Sequence, residues 1–137
     1  MPNPDPIAVV LAFEEKINAG DVDGIVALMT EDGVFIDSMG AKITGHAKLR
    51  QAWTEYLRIV PDYRISHTEI FSQGAVVAMF GEARGTFTHD GLLYRENAWI
   101  TPTAWRAVVE GGRILAWQVF ADNEPIRQIM RRILPSP

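Results

Sequence analysis

Residues 61–71 read Pro-Asp-Tyr-Arg-Ile-Ser-His-Thr-Glu-Ile-Phe, and the apolar period of the chain changes here. Upstream, Leu49, Trp53, Tyr56, Leu57 and Val60 recur at helical spacing, with Lys48, Arg50, Gln51, Glu55 and Arg58 on the other face, until Pro61 ends the helix. Downstream the period is two, and strands follow one another, separated by Gln73-Gly74, His89-Asp90-Gly91 and Glu110-Gly111-Gly112. Such turn residues tolerate positive φ, so the strands are expected to pair as antiparallel hairpins.

Further toward the N-terminus the helical period continues. Asp5 caps a helix with Pro6 in its first turn, Ile7, Val10, Leu11 and Ile17 as its stripe, and Gly20 as its stop. Asp21 caps a shorter helix carrying Val22, Ile25, Leu28 and Met29. A strand, Val34-Phe35-Ile36-Asp37-Ser38-Met39-Gly40, follows, then a short Lys42 to Thr44 segment before the third helix. At the other end, the strand from Arg113 to Asp122 runs into a closing helix capped by Asp122 or Asn123 and striped by Ile126, Ile129, Met130 and Ile133. Helices first and a meander after predict an α+β domain, residues 1–137, with helices laid on one face of a curved sheet that encloses a pocket.

Composition narrows the function. At 137 residues and 47% hydrophobic content, two domains would be cramped. A net charge of −4 disfavours a nucleic-acid surface; Arg127, Arg131 and Arg132 form the one basic run and suit the last turn of a helix. Cysteine is absent, which removes thiolate and disulfide chemistry, and three scattered histidines give no metal spacing. No apolar run approaches the roughly 18 residues of a membrane span, and the first residues lack the pattern of a signal peptide. The expectation is a soluble cytoplasmic protein, with neither membrane nor nucleic-acid partner and no metal or other cofactor.

Ala19-Gly20-Asp21, Thr30-Glu31-Asp32-Gly33-Val34, Gly45 before the third helix, Gly112-Arg113-Ile114, Trp117 and Phe120-Ala121-Asp122 together resemble the nuclear transport factor 2-like superfamily, in its SnoaL-like and ketosteroid isomerase-like branch. The resemblance implies a cone-shaped fold that serves isomerases, cyclases, dehydratases, epoxide hydrolases and non-catalytic binding modules alike. It also implies a homodimer, formed over the open face of the sheet. In the isomerases an aspartate on the first strand moves a proton within the cavity, and Asp37 stands at that place. A second reading of Asp37 is a turn cap that accepts a bond from the Met39 or Gly40 amide. The isomerase tyrosines correspond to Phe13, Met29 and Trp53 and its late acid to Ala104 or Trp105, so ordinary ketosteroid isomerisation is not expected. Epoxide hydrolases of this fold use two acids and an arginine; Glu82 and Arg84 echo that group, but the final-strand acid corresponds to Val119.

Other candidates come from the strands. Under strict alternation His67 shares a face with Tyr63, Ile65, Glu69 and Phe71, as a general acid or base or as a satisfied core histidine. On a strand from Tyr94 to Val109, Asn97, Trp99, Thr101, Thr103 and Trp105 share one face, with a bulge or edge expected at Pro102. The tryptophans serve either as core and dimer interface or, with Trp53, Tyr56 and Trp117, as an aromatic pocket for a flat ligand. Arg106 serves as an anion clamp or as a surface ion pair. The resulting site has Asp37, His67 and Arg84 as catalytic candidates. Phe13, Trp53, Tyr56, Asn97, Trp99, Trp105, Trp117 and Val119 are its substrate-binding candidates, for a hydrophobic small molecule.

Overall fold

The computed structural model describes residues 4–134. Helix α1, Pro6–Asn18, is capped by Asp5, whose Oδ1 accepts the Ile7 amide at 3.0 Å, and stops before Gly20 at φ 66°. Helix α2, Val22–Ala27, is capped by Asp21, which accepts the Gly24 amide at 2.9 Å. Strands β1 (Met29–Ile36) and β2 (Lys42–Thr44) lead to α3 (His46–Ile59). Four long strands follow: β3 (Arg64–Gln73), β4 (Val76–Thr86), β5 (Ala98–Glu110) and β6 (Arg113–Ala121); α4 (Glu124–Ile133) closes the described chain. Asp122 caps α4 by accepting the Glu124 amide at 2.9 Å, whereas the Asn123 side chain makes no cap bond.

The six strands form one open mixed sheet in the order β2-β1-β6-β5-β4-β3. Every pairing is antiparallel except β1 with β6, which is parallel and sets Phe35 opposite Trp117. The sheet and its helices make the α+β architecture that the element order implies, in the cone-shaped form that the resemblance implies. Helices α1 and α2 pack their buried faces, Val10, Phe13, Ile17, Ile25 and Val26, into the core; α3 adds Leu49 and Trp53.

Three local expectations are corrected. On β3 the alternation breaks: His67 pairs with Gly81 but Glu69 with Phe80, so Thr68 is an extra residue and the phase reverses. Ile65 is buried, while Phe71, expected on the same face, is 56% exposed. Residues 87–97 form a loop and not a tight hairpin. Asp90 turns it by accepting the Leu92 amide and the Tyr94 hydroxyl, and a 3-10 turn, Arg95–Asn97, precedes β5. The strand therefore starts at Ala98, and Asn97 lies outside it. Pro102 produces no bulge: β4 and β5 stay in register from Thr86↔Ala98 to Val76↔Val108. The β6 ladder ends one residue away, at Thr103↔Ala121, so the missing amide falls at the ladder's end.

Gly81 makes the β3 bulge possible. A Cβ there would stand 1.9 Å from the Ser66 carbonyl oxygen and 2.7 Å from the His67 Cα, backbone atoms that cannot swing aside. Gly81→Ala is expected to lower unfolding free energy by about 3 kcal/mol, the upper part of the overpacking range. Denaturant unfolding measures this, and a loss below about 0.5 kcal/mol would show that the approach relaxes freely.

Candidate active site

Between α3 and the concave face of the sheet lies a cavity of about 330 Å³, within the size range of small-molecule sites. Its lining follows from the two periodicities. Leu49, Trp53 and Tyr56 succeed one another along one face of α3, while Trp99, Thr101 and Trp105 alternate inward on β5 and Trp117, Val119 and Ala121 on β6. Phe35, Ile43, Ala52, Tyr63 and Ala83 complete the apolar and aromatic wall. The rings form two groups. Trp53 meets Phe35 at 5.8 Å and Tyr63 at 6.4 Å, and Tyr63 meets Tyr56 at 5.0 Å and Trp99 at 6.2 Å. Trp117 lies 6.3 Å from Trp105 and 4.7 Å from Phe13, which is fully buried behind the wall and does not line the cavity.

Asp37, just past the end of β1, lines this cavity. Its Oδ1 accepts the Met39 and Ala41 amides, both at 2.9 Å, in a turn whose Gly40 adopts φ 85°. Oδ2 has no hydrogen-bond partner among the described residues. The same side chain thus caps the turn and presents an oxygen that the turn does not use. Beside it Asn123 donates to the Ser38 hydroxyl, and both line the cavity. Thr101 donates to the Asp122 carbonyl at 3.0 Å.

The other polar candidates lie elsewhere. His67 Nδ1 stands 2.9 Å from both carboxylate oxygens of Glu14, so the histidine joins β3 to α1 away from the cavity. Glu82 and Arg84 flank cavity-lining Ala83 on β4 and are exposed on the opposite face; Arg84 lies in a separate groove with Asp62, Arg64 and Glu96. Arg106 is exposed between inward Trp105 and Ala107. Asn97 is buried in the 3-10 turn, bonded to Arg132, and its carbonyl accepts the Phe87 amide at 3.0 Å. His67 keeps the phase of buried Ile65 but meets α1 instead of the cavity, and the 3-10 turn takes Asn97 off the strand.

Four polar lining residues went unrecognised as site residues: Ser38, Tyr63, Thr101 and Asn123. Tyr63, directly after the helix-ending Pro61-Asp62, was legible as an aromatic at the junction of two elements. Ser38 and Asn123 are 85 positions apart and meet only through the parallel strand pair. Among the described residues no cluster of three or more His, Asp or Glu side chains is placed to hold a metal ion. No described helix is long and apolar enough to cross a membrane.

The SnoaL-like domain family model matches residues 10–119. The chain belongs to this SnoaL-like family. Among solved structures it is similar to a proposed SnoaL-like polyketide cyclase from Shewanella denitrificans, at 14% identity and TM-score 0.80 over 94% of this chain and 98% of that one. It is also similar to IdmH, a proposed polyketide cyclase from Streptomyces antibioticus, at 20% identity and TM-score 0.75 over 92% and 98%. A protein with a ketosteroid isomerase-like fold from Catenulispora acidiphila, crystallised with trimethylamine, aligns at 16% identity and TM-score 0.76 over 91% of both chains. At these identities the likeness shows the fold. No curated protein matches the chain.

Burial pushes both cavity phenols well above the ordinary tyrosine value, and Tyr63 adds repulsion at Tyr56. Both are therefore neutral donors through the physiological range. Because their native pKa exceeds that of the unfolded chain, about 10, the unfolded state loses these protons first. Their stabilisation is complete below about pH 10 and declines above it. Denaturant unfolding from pH 9 to 11.5 is expected to show falling stability, with a shallower fall in Tyr63→Phe. An equal slope in both proteins would remove Tyr63 from the cause.

Proposed function

We propose that the protein is a cytoplasmic, cofactor-independent acid–base catalyst acting on a hydrophobic small molecule, with Asp37 as the group that takes and returns a proton. The observation that carries this is the division of labour within one carboxylate. Two amides hold Oδ1, fixing the side chain's direction, while Oδ2 has no protein partner on a residue that lines an aromatic cavity. A base whose orientation is already set loses little freedom when substrate arrives. In the reaction a substrate C–H bond breaks, Oδ2 gains the proton, and the electron pair stays on the substrate. Return of the proton to another carbon completes an isomerisation; attack of the carbanion on a carbonyl carbon of the same substrate, with the C=O π pair moving to oxygen and that oxygen taking the proton back from Asp37, completes a ring closure. Family membership and the likeness to proposed polyketide cyclases support this class of chemistry. The epoxide hydrolase alternative has less support, because Glu82 and Arg84 face away from the cavity.

A second reading, a non-catalytic ligand-binding module, draws on the turn-capping bonds, which alone give Asp37 a structural task. The two separate on exchange of the acidic α-hydrogens of planar ketones such as 2-tetralone for deuterium in D2O, followed by NMR. Wild-type protein is expected to accelerate exchange. Asp37→Asn, whose amide oxygen can still accept the turn amides, is expected to lose at least about 100-fold with its unfolding midpoint kept. Undiminished exchange in the variant, or none above buffer in the wild type, would overturn the catalytic reading.

We further propose a homodimer covering the outer sheet face. Phe71, Phe80, Ile100 and Phe120 are each about half exposed there, at 45 to 56%, and Phe71 meets Phe80 edge-on at 6.4 Å. Sedimentation at micromolar concentration is expected to give twice the 15.3 kDa chain mass. A monomeric mass would remove the dimer.

A further inference from the structure

Tyr56 and Tyr63 line the cavity side by side, with ring centroids 5.0 Å apart and planes at 90°. Neither hydroxyl has a hydrogen-bond partner among the described residues, and both side chains are half-buried, with hydroxyls that keep accessible surface. Two adjacent donors that the protein leaves free, on an otherwise apolar aromatic wall, offer a ligand oxygen a pair of hydrogen bonds. Of the other cavity hydroxyls, Thr101 donates to the Asp122 carbonyl, and Ser38, which accepts from Asn123, stands next to Asp37 in the chain and not beside the phenols. The indole N–H of Trp99 is also unpartnered, but it is sealed within the packing and exposes no surface to a ligand.

Topology sets these phenols across the cavity from Asp37. Asp37 follows β1 and Tyr63 precedes β3, and β6, β5 and β4 lie between those strands in the sheet. The curve of the sheet brings the two sides together, so that Phe35 of β1 and Tyr63 both touch Trp53. The cavity has a carboxylate on one flank, two neutral donors on the other, and flat aromatic rings between them.

We propose that Tyr56 and Tyr63 are specificity-determining residues: a donor pair that selects planar ligands by an acceptor oxygen, carbonyl or enolate, held across the cavity from Asp37. This rests on the cavity being the ligand site, as in the functional reading above, but not on proton transfer at Asp37. Their neutrality through the physiological range keeps both available as donors.

The matched probes are 9-fluorenone and fluorene, tricyclic molecules that differ by a carbonyl in place of a methylene, titrated by quenching of tryptophan fluorescence. The wild-type protein is expected to bind fluorenone about tenfold more tightly, the factor that one well-made hydrogen bond supplies. Tyr63→Phe and the double variant Tyr56→Phe/Tyr63→Phe are expected to lose that preference while binding fluorene unchanged, which reports an intact cavity. The carbonyl stretch of bound fluorenone is expected at lower wavenumber in the wild type than in the double variant. Asp37→Asn is expected to keep the preference, so failure of the acid–base reading and failure of the donor pair are separately visible. Equal affinity of the two probes in the wild type, absence of binding by both, or a preference and stretch unchanged in the double variant would overturn the proposal.

Discussion

The parallel pairing of β1 with β6 is the contact on which the site depends. It joins the first strand of the described chain to the last, past four intervening strands, and it is the one pairing that no hairpin turn can specify. Because it exists, Phe35 faces Trp117, the end of β1 lies beside the end of β6, and Ser38 reaches Asn123. Without it Asp37 would cap a turn at the rim of an isolated hairpin. With it the same turn sits at the mouth of a cavity.

Keeping that cavity open is a packing problem, because indole and phenol rings normally fill the space they surround. Here the rings support one another edge-on and tilted, Phe35 to Trp53 to Tyr63 to Trp99 along one wall and Trp105 to Trp117 along the other, with Phe13 behind Trp117. Each ring is braced by a neighbour and not by the centre of the hollow. Small residues, Ala52, Ala83 and Ala121, occupy places where larger side chains would close the space. The arrangement gives up some apolar contact that a solid core would make, and a planar ligand would restore it.

Asp37 shows how one side chain holds a turn and still lines a cavity. Its turn-capping bonds and its place on the cavity wall do not compete, because a carboxylate has two oxygens and the turn uses one. His67 is the contrasting case: an imidazole that strict alternation turns inward is held by Glu14 at the junction of β3 and α1. The difference is which helix covers that part of the sheet. His67 keeps the phase of buried Ile65 and meets α1, whereas α3 covers the cavity, and the bulge at Thr68 opposite Gly81 turns only the residues beyond it. A bulge of this kind leaves almost no mark in a hydrophobicity pattern, since it changes phase without changing composition.

Much of the architecture was legible in the linear order of residues. Asp5-Pro6, Asp21 and Pro61 bound helices through capping and ring constraints that act within a few positions. Period two and the glycine turns mark the long strands, and Trp99, Trp105 and Trp117 point inward as alternation requires. Local rules succeed there because the forces behind them are local. The site was legible only in part: Asp37 and most of the aromatic wall were recognised, while His67, Arg84 and Asn97 face elsewhere and Tyr63, Ser38 and Asn123 were not counted. Those placements turn on which helix covers which part of the sheet, on the 3-10 turn before β5, and on a contact between residues 85 positions apart. Chain order decides which residues can be helix, strand or turn; only the closing of β6 against β1 decides which of them share a cavity, because that closure is a balance of packing over the whole sheet and no short segment contains it.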